Sequence, residues 1–222
     1  MIRHFEERLN ELRLKLLEMG GLVESGVHTS VQALIEANED LAHQVLANEP
    51  RINELEIQID DLATGLLALE QPVASDLRFI TAAIKINNNL ERMGDKAANI
   101  AERSIALASE PAVTSLIDIA RLGKLVEPMV HQALDAFVRH DAVLARSVMT
   151  SDDSVDEMRD RVSSEVIRHL EQEPHSARPW VDLLYISRSL ERIADHATNI
   201  AEDVVFMVEG VDVRHGHAVA TH

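Results

Sequence analysis

The chain contains no cysteine. Disulfides, thiolate catalysis and cysteine-based zinc or iron–sulfur sites are therefore excluded. Aromatic residues make up only 3% of it, so a core must be built mainly from Leu, Ile, Val, Ala and Met. Such side chains suit interdigitating helices. There are 8 glycines and 6 prolines, too few for a turn-rich β protein or a disordered chain. No apolar run approaches the roughly 18 residues of a membrane-spanning helix. No run of Lys or Arg forms the basic stripe expected of a nucleic-acid binder, and the same lack argues against direct membrane association.

What is present is acid and helical periodicity. The formal net charge is −17 over 222 residues, with 46% hydrophobic content. That content suffices for a buried core. The charge suits cations or basic patches on partner proteins, and it also keeps a helical protein soluble. The opening MIRHFEERLN has no apolar h-region, so no secretory signal is expected, and the protein reads as soluble and intracellular.

Apolar residues recur at three-and-four spacing almost throughout. The pattern predicts a long first helix from Phe5 to about Ala37, bent at Gly20–Gly21. A second helix is expected from near Asp40, restarting at Pro50 and ending at Gln71–Pro72. A third runs from about Ala74 to Ser109. Pro111 marks a boundary. Thr114 or Ser115 would cap a fourth helix to about Arg139. Asp141 opens a further helix that Ser151 restarts and Glu173–Pro174 ends. The last runs from about Ala177 to Val208, and the remainder, from Gly210 on, reads as a frayed tail. Strand-like alternation is lacking. The expected fold is all-α: two tandem three-helix bundles, residues 1–110 and 111–210, with a flexible tail at 211–222.

The duplication is explicit in two phrases. LERMGDKAANIAE begins at Leu90 and LERIADHATNIAE at Leu190, with nine of fourteen positions identical over 90–103 and 190–203. On a wheel of about 100° per residue, Glu91, Asp95, Asn99 and Glu102 share one narrow face. Leu90, Met93, Ala97, Ile100 and Ala101 lie roughly opposite. Glu191, Asp195, Asn199 and Glu202 repeat the arrangement. An acidic helical stripe is often only a solvated face. Here like charges at i and i+4 repel, and their duplication calls for a compensating cation. Carboxylates with a side-chain carbonyl are hard oxygen ligands for Mg²⁺, Mn²⁺, Ca²⁺ or Fe. Arg188, three residues before Glu191, is a candidate internal cation; Asn88 stands there in the first copy. The Glu91/Asp95 pair is thus the stronger metal candidate.

Other candidates are thinner. Glu24 to His28 and Glu165 to His169 have i, i+4 spacing, which an acidic helical chain produces by chance. His196 replaces Lys96 and reads as a surface histidine. The tail RHGHAVATH is capable of adventitious metal binding. Glu-x-x-His pairs of di-iron bundles, a Gly-rich phosphate loop, a nucleophile elbow and HExxH are missing.

Two three-helix units, each ending in LER-x-x-D-x-A-x-N-I-A-E, resemble the PhoU family of phosphate-specific transport system accessory proteins. QPVASDLRFI (71–80) is similar to that family's first-repeat signature. In the second unit HSARPW (175–180) stands at the equivalent place, and only Arg178 matches Arg78. The resemblance covers about residues 1–210. It implies a cytoplasmic, non-catalytic regulator acting with the cytoplasmic subunits of a phosphate ABC transporter and with a sensor histidine kinase. It also implies homodimers and metal, iron or zinc in some members, at Glu91/Asp95 and Glu191/Asp195. Asn99, Glu102, Asn199 and Glu202 would complete the ligand face, and Mn or Mg suits the same oxygen donors. Three alternatives stay open: a ferritin-like carboxylate metal protein, a ligand-free helical scaffold, and a histidine phosphotransfer domain.

Overall fold

The computed structural model describes residues 2–109, 118–172, 177–214 and 219–220. Among the described residues six long helices carry the fold: α1 (Ile2–Glu36), α2 (Glu39–Glu70), α3 (Ala74–Leu107), α4 (Ile119–Arg139), α5 (Ala142–Gln172) and α6 (Ala177–Glu209). Each is positioned by one apolar stripe. On α1, Leu12, Leu16, Met19, Val23, Val27, Val31 and Leu34 are all buried, which is the seam that periodicity predicts.

The two units turn the same corner. Ala37 and His140 each adopt a left-handed backbone, φ 50° and 53°, and each is followed by an acid or amide that caps the next helix. Asn38 Oδ1 accepts from the backbone N–H of Asp40 at 3.0 Å and of Leu41 at 3.3 Å. Asp141 Oδ1 accepts from Val143 and Leu144, both at 2.9 Å. These caps satisfy amides that the first helical turn leaves unpaired. Aligning the corners also aligns buried positions: Ile52 with Val155, Leu55 with Met158, Ile59 with Val162.

Several boundaries differ from the periodicity reading. Pro50 lies inside a continuous α2. It is exposed, so the carbonyl it leaves unpaired in the helix lies towards solvent, while Val45, Ile52 and Leu55 hold both halves to the core. Ser151 likewise lies inside a continuous α5; its hydroxyl donates back to the Ser147 carbonyl at 3.0 Å. Gly20–Gly21 lies within the single helix α1. Thr114, Ser115 and Pro174 fall outside the described residues. The tail is not wholly irregular: β1 (Val211–Asp212) pairs antiparallel with β2 (Val219–Ala220). Among the described residues no helix is long and apolar enough to cross a membrane.

The third helix of each unit forms the centre. α3 and α6 cross antiparallel, because Lys85 meets Asp203, Asn89 meets His196 and Arg103 meets Asp182. Leu90, Met93, Ala97, Ile100 and Ala101 are buried there, as are Leu190, Ile193, Ala197, Ile200 and Ala201. The small residues of the repeated phrase thus let the two units share one core.

Candidate functional site

The repeated phrase has its apolar face in that core, so its acids point elsewhere. Glu91 and Asp95 are half-buried on α3 and stand beside Glu56 of α2. Burial raises the Glu91 carboxyl above its ordinary range. The charges of Asp95 and Glu56 push the same way, and Arg92 opposes them. Buried Asn87 braces the neighbouring turn of α2, donating to the Glu56 carbonyl and to Asp60 Oδ1, both at 3.0 Å.

The second unit builds a related cluster from different residues. Glu191 and Asp195 of α6 meet Asp152 and Asp156 of α5. Asp195 is pushed up to about 6, first by burial, then by Glu191 and Asp152. Burial, then Asp156, raises Asp152 as well, while a long contact with Thr198 Oγ1 at 3.5 Å opposes this. A cation is built in. Arg159 reaches Asp160 at 2.7 Å, Asp156 at 3.2 Å and Glu191 at 3.6 Å. The internal counter-charge of Glu191 is therefore Arg159, from another helix, and not Arg188.

The remaining stripe residues go to other places. Asn99 Nδ2 donates to the Asp95 carbonyl at 2.7 Å, one turn back along its own helix. Glu102 is exposed. Asn199 and Glu202 line a cavity of about 440 Å³ with Lys85, Asn88, Asn89 and Arg214. The structure thus brings Glu91 together with Asp95 and Glu191 with Asp195, and it turns Asn199 and Glu202 towards the α3–α6 crossing. Among the described residues, no three or more His, Asp or Glu side chains close around a point that would hold a metal ion. The donors suit a hard cation in kind. Their arrangement here is open.

The histidines sit differently from their sequence reading. His196 is half-buried at the α3–α6 crossing, where Nδ1 donates to Asn89 Oδ1 at 3.0 Å. Burial, then Arg92, Lys96 and Arg192, lower it to about 4, so it is neutral near pH 7. His28 does not pair with Glu24 on its own helix. It bonds Glu127 at 2.8 Å, and His131 bonds Glu24 at 2.7 Å, both across α1 and α4. His169 stacks on Trp180, with ring centroids 4.4 Å apart.

Two ion pairs across the α3–α6 crossing escaped the wheel. Asp203 is only 6% exposed and accepts from Lys85 Nζ at 2.9 Å. Burial raises its carboxyl and Lys85 opposes that. Arg103 meets Asp182 at 2.5 Å and lies 4.1 Å over the Tyr185 ring. Arg103 and Asp203 occupy matching positions of the two phrases with opposite charge. That exchange of sign, answered by Asp182 and by Lys85 respectively, was the available signal that these positions pair across helices.

Comparison with known proteins accords with this architecture. The model of the PhoU domain matches twice, over residues 16–104 and 119–204. A Pseudomonas aeruginosa protein, a homolog of the phosphate-specific transport system accessory protein PhoU, is 42% identical over 96% of this chain and 88% of its own length. An Aquifex aeolicus homolog is 36% identical over 95% and 96%. The crystal structure of PhoU from Pseudomonas aeruginosa superposes with a TM-score of 0.88 at 41% identity, covering 93% of this chain and 99% of that one. The PhoU from Streptococcus pneumoniae, a phosphate transport system regulatory protein, gives 0.81 at 30% identity over 98% and 100%. With two PhoU domains in tandem along one shared helical core, the chain belongs to the PhoU family.

Proposed function

We propose that this protein regulates phosphate uptake and phosphate-starvation signalling as a cytoplasmic, non-catalytic adaptor. It docks on the cytoplasmic subunits of a phosphate ABC transporter and on a sensor histidine kinase, and it works as a homodimer. The observation that carries the reading is the match, over 96% of this chain and at 42% identity, to an accessory protein of phosphate-specific transport. Two quasi-equivalent acidic clusters on a rigid helical frame support it, because they offer paired surfaces to basic partners. Coupling between transporter and kinase then follows from differential binding of one state of each.

The reading includes a cation. Glu91 and Asp95, with Glu56, would hold it in the first unit, and Asp195 with Asp152, on the side away from Arg159, in the second. Fe, Zn, Mn and Mg all suit carboxylate oxygens. A bound ion would supply the charge that offsets desolvated like-charged carboxylates.

The test is a Glu91→Lys/Asp95→Lys variant, titrated calorimetrically against the transporter's ATPase subunit and the kinase's cytoplasmic portion. Weakened binding to at least one partner, at an unchanged melting temperature, is expected. Unchanged affinity for both would overturn the acidic stripe as the docking surface. Elemental analysis of chelator-free protein beside a Glu91/Asp95/Glu191/Asp195→Ala variant tests the cation. Equal metal content in the two would remove it from the reading.

A further inference from the structure

The α1–α4 contact joins the two units on a part of the molecule that the carboxylate clusters do not use. The helices run antiparallel. Gly20 faces Leu134 and Gly123 faces Val31, while the two His–Glu bonds lie between those close approaches. Along this seam lie two adjoining cavities of about 170 and 350 Å³, both lined by Glu24 and His131. One end is apolar: Leu17 and Val138 line it and are 36% and 50% exposed. Leu14, one turn further along the same face of α1, is 57% exposed. The other end carries the two His–Glu pairs, Glu24, His28, Glu127 and His131, set among Val27, Pro128 and Val130.

Gly21 makes this groove more than a dent. A glycine inside a helix costs about 1 kcal/mol relative to alanine. Its neighbour Gly20 has an internal reason, since a Cβ there would lie 3.0 Å from Leu134. Gly21 has none: a Cβ added to it would meet nothing within 4 Å, and it lines the groove. An open glycine beside exposed apolar side chains lets another backbone approach closely.

Charge selects the occupant. Glu24 and Glu127 are bonded to histidines, which carry no fixed positive charge. A second copy seated groove to groove would set its own Glu24 and Glu127 against these. We propose that the α1–α4 groove docks an amphipathic helix of a partner protein, with an apolar stripe at one end and Lys or Arg at the other. The apolar stripe lies over Leu14, Leu17, Gly21 and Val138. The basic end takes Glu24 and Glu127 from their histidines. The mode is helix-in-groove recognition. This deepens the adaptor reading by giving it a surface that spans both units.

The test uses the full chain and a fluorescein-labelled synthetic Leu/Lys amphipathic helix, followed by anisotropy. Gly21→Phe places a ring on the floor of the groove, at a position where the added Cβ meets nothing within 4 Å. It is expected to weaken binding at least about tenfold, the scale of a blocked hot spot. Glu24→Gln/Glu127→Gln is expected to weaken it several-fold and to flatten its salt dependence. Asp61→Asn/Glu171→Gln, at exposed acids outside both the groove and the carboxylate clusters, is expected to leave it unchanged. Equal loss in all three variants would reduce the binding to general acidity and overturn the proposal, as would full binding to Gly21→Phe. Should Gly21→Phe melt early, Gly21→Cys carrying an environment-sensitive dye replaces it; the chain's lack of other cysteines makes that label unique. A dye signal that does not respond to the peptide would overturn the proposal. So would self-association of the wild type that Gly21→Phe abolishes. The titration involves neither transporter nor kinase, so failure of the adaptor reading would show separately.

Discussion

The two carboxylate clusters share a phrase and differ in their counter-charge. In the corner-aligned register, the residue on the second helix of each unit that approaches the phrase is Glu56 in the first and Arg159 in the second. The first cluster is therefore acid upon acid. The second has an internal guanidinium that draws in Glu191 and Asp156, and its extra acids leave Asp195 and Asp152 as the groups whose protonation burial favours. Sequence repetition conserved the α3 and α6 surfaces here; the helices packed against them decide what that surface is. A cation bound by this protein is expected to sit between Glu56 and Glu91 in the first unit, and near Asp195 and Asp152, away from Arg159, in the second.

Removing the guanidinium should have the largest effect. Arg159→Ala strips the counter-charge from Glu191 and Asp156 and is expected to cost about 2 kcal/mol in urea unfolding. It should also give the second cluster calorimetrically measurable Mn²⁺ affinity above that of the wild type. An unchanged unfolding midpoint would show that the three ion pairs of Arg159 are ordinary surface contacts.

Next is the brace under each cluster. Asn87 ties α3 to α2 through two hydrogen bonds, whereas buried Ser187 donates only to the Leu184 carbonyl of its own helix. Asn87→Ala should cost about 1–2 kcal/mol and Ser187→Ala well under 1, both by denaturant midpoint. Equal costs would remove this asymmetry.

Converting one cluster into the other is a smaller perturbation. Glu56→Arg places a cation beside Glu91 and should stabilise the fold by about 0.5 kcal/mol at low salt, while abolishing any metal binding in the first unit. A rise in metal content would refute the assignment of Glu56 as a ligand. Smallest is Asp195→Asn, which removes an i, i+4 repulsion with Glu191. A gain of about 0.2–0.5 kcal/mol at neutral pH is expected without metal, read as a higher melting temperature. A clear loss would show that Asp195 makes a favourable contact the structure does not contain.

Much of the fold was legible because helix periodicity is local. The buried faces of both phrases, the Asp141 cap, the third and last helices and the duplication itself could all be read from spacing. Pro50 and Ser151 misled the reading because a breaker acts locally, while the buried neighbours that keep α2 and α5 continuous come from other helices. The short β1–β2 pairing was hidden for a related reason: two-residue strands carry too few residues to show alternation.

The acidic site was half legible. A helical wheel places Glu91, Asp95, Asn99 and Glu102 on one face, but neighbouring helices divide that face. Arg159, Asp152 and Asp156 lie more than thirty residues before Glu191, and nothing in local spacing ties them to it. The cross-paired Glu24, His28, Glu127 and His131 are similar: each Glu–His spacing looks accidental alone, and only the α1–α4 contact exchanges the partners.

By itself, then, the sequence determined the helices, their buried stripes, the repeat and the presence of surplus acid, because backbone hydrogen bonding and apolar periodicity act within a few turns. Tertiary structure decided which carboxylates share a desolvated space, which of them has a guanidinium, and where an open groove remains. Those outcomes depend on how helices distant in sequence cross, since both Coulomb energy and burial are set by distance in space.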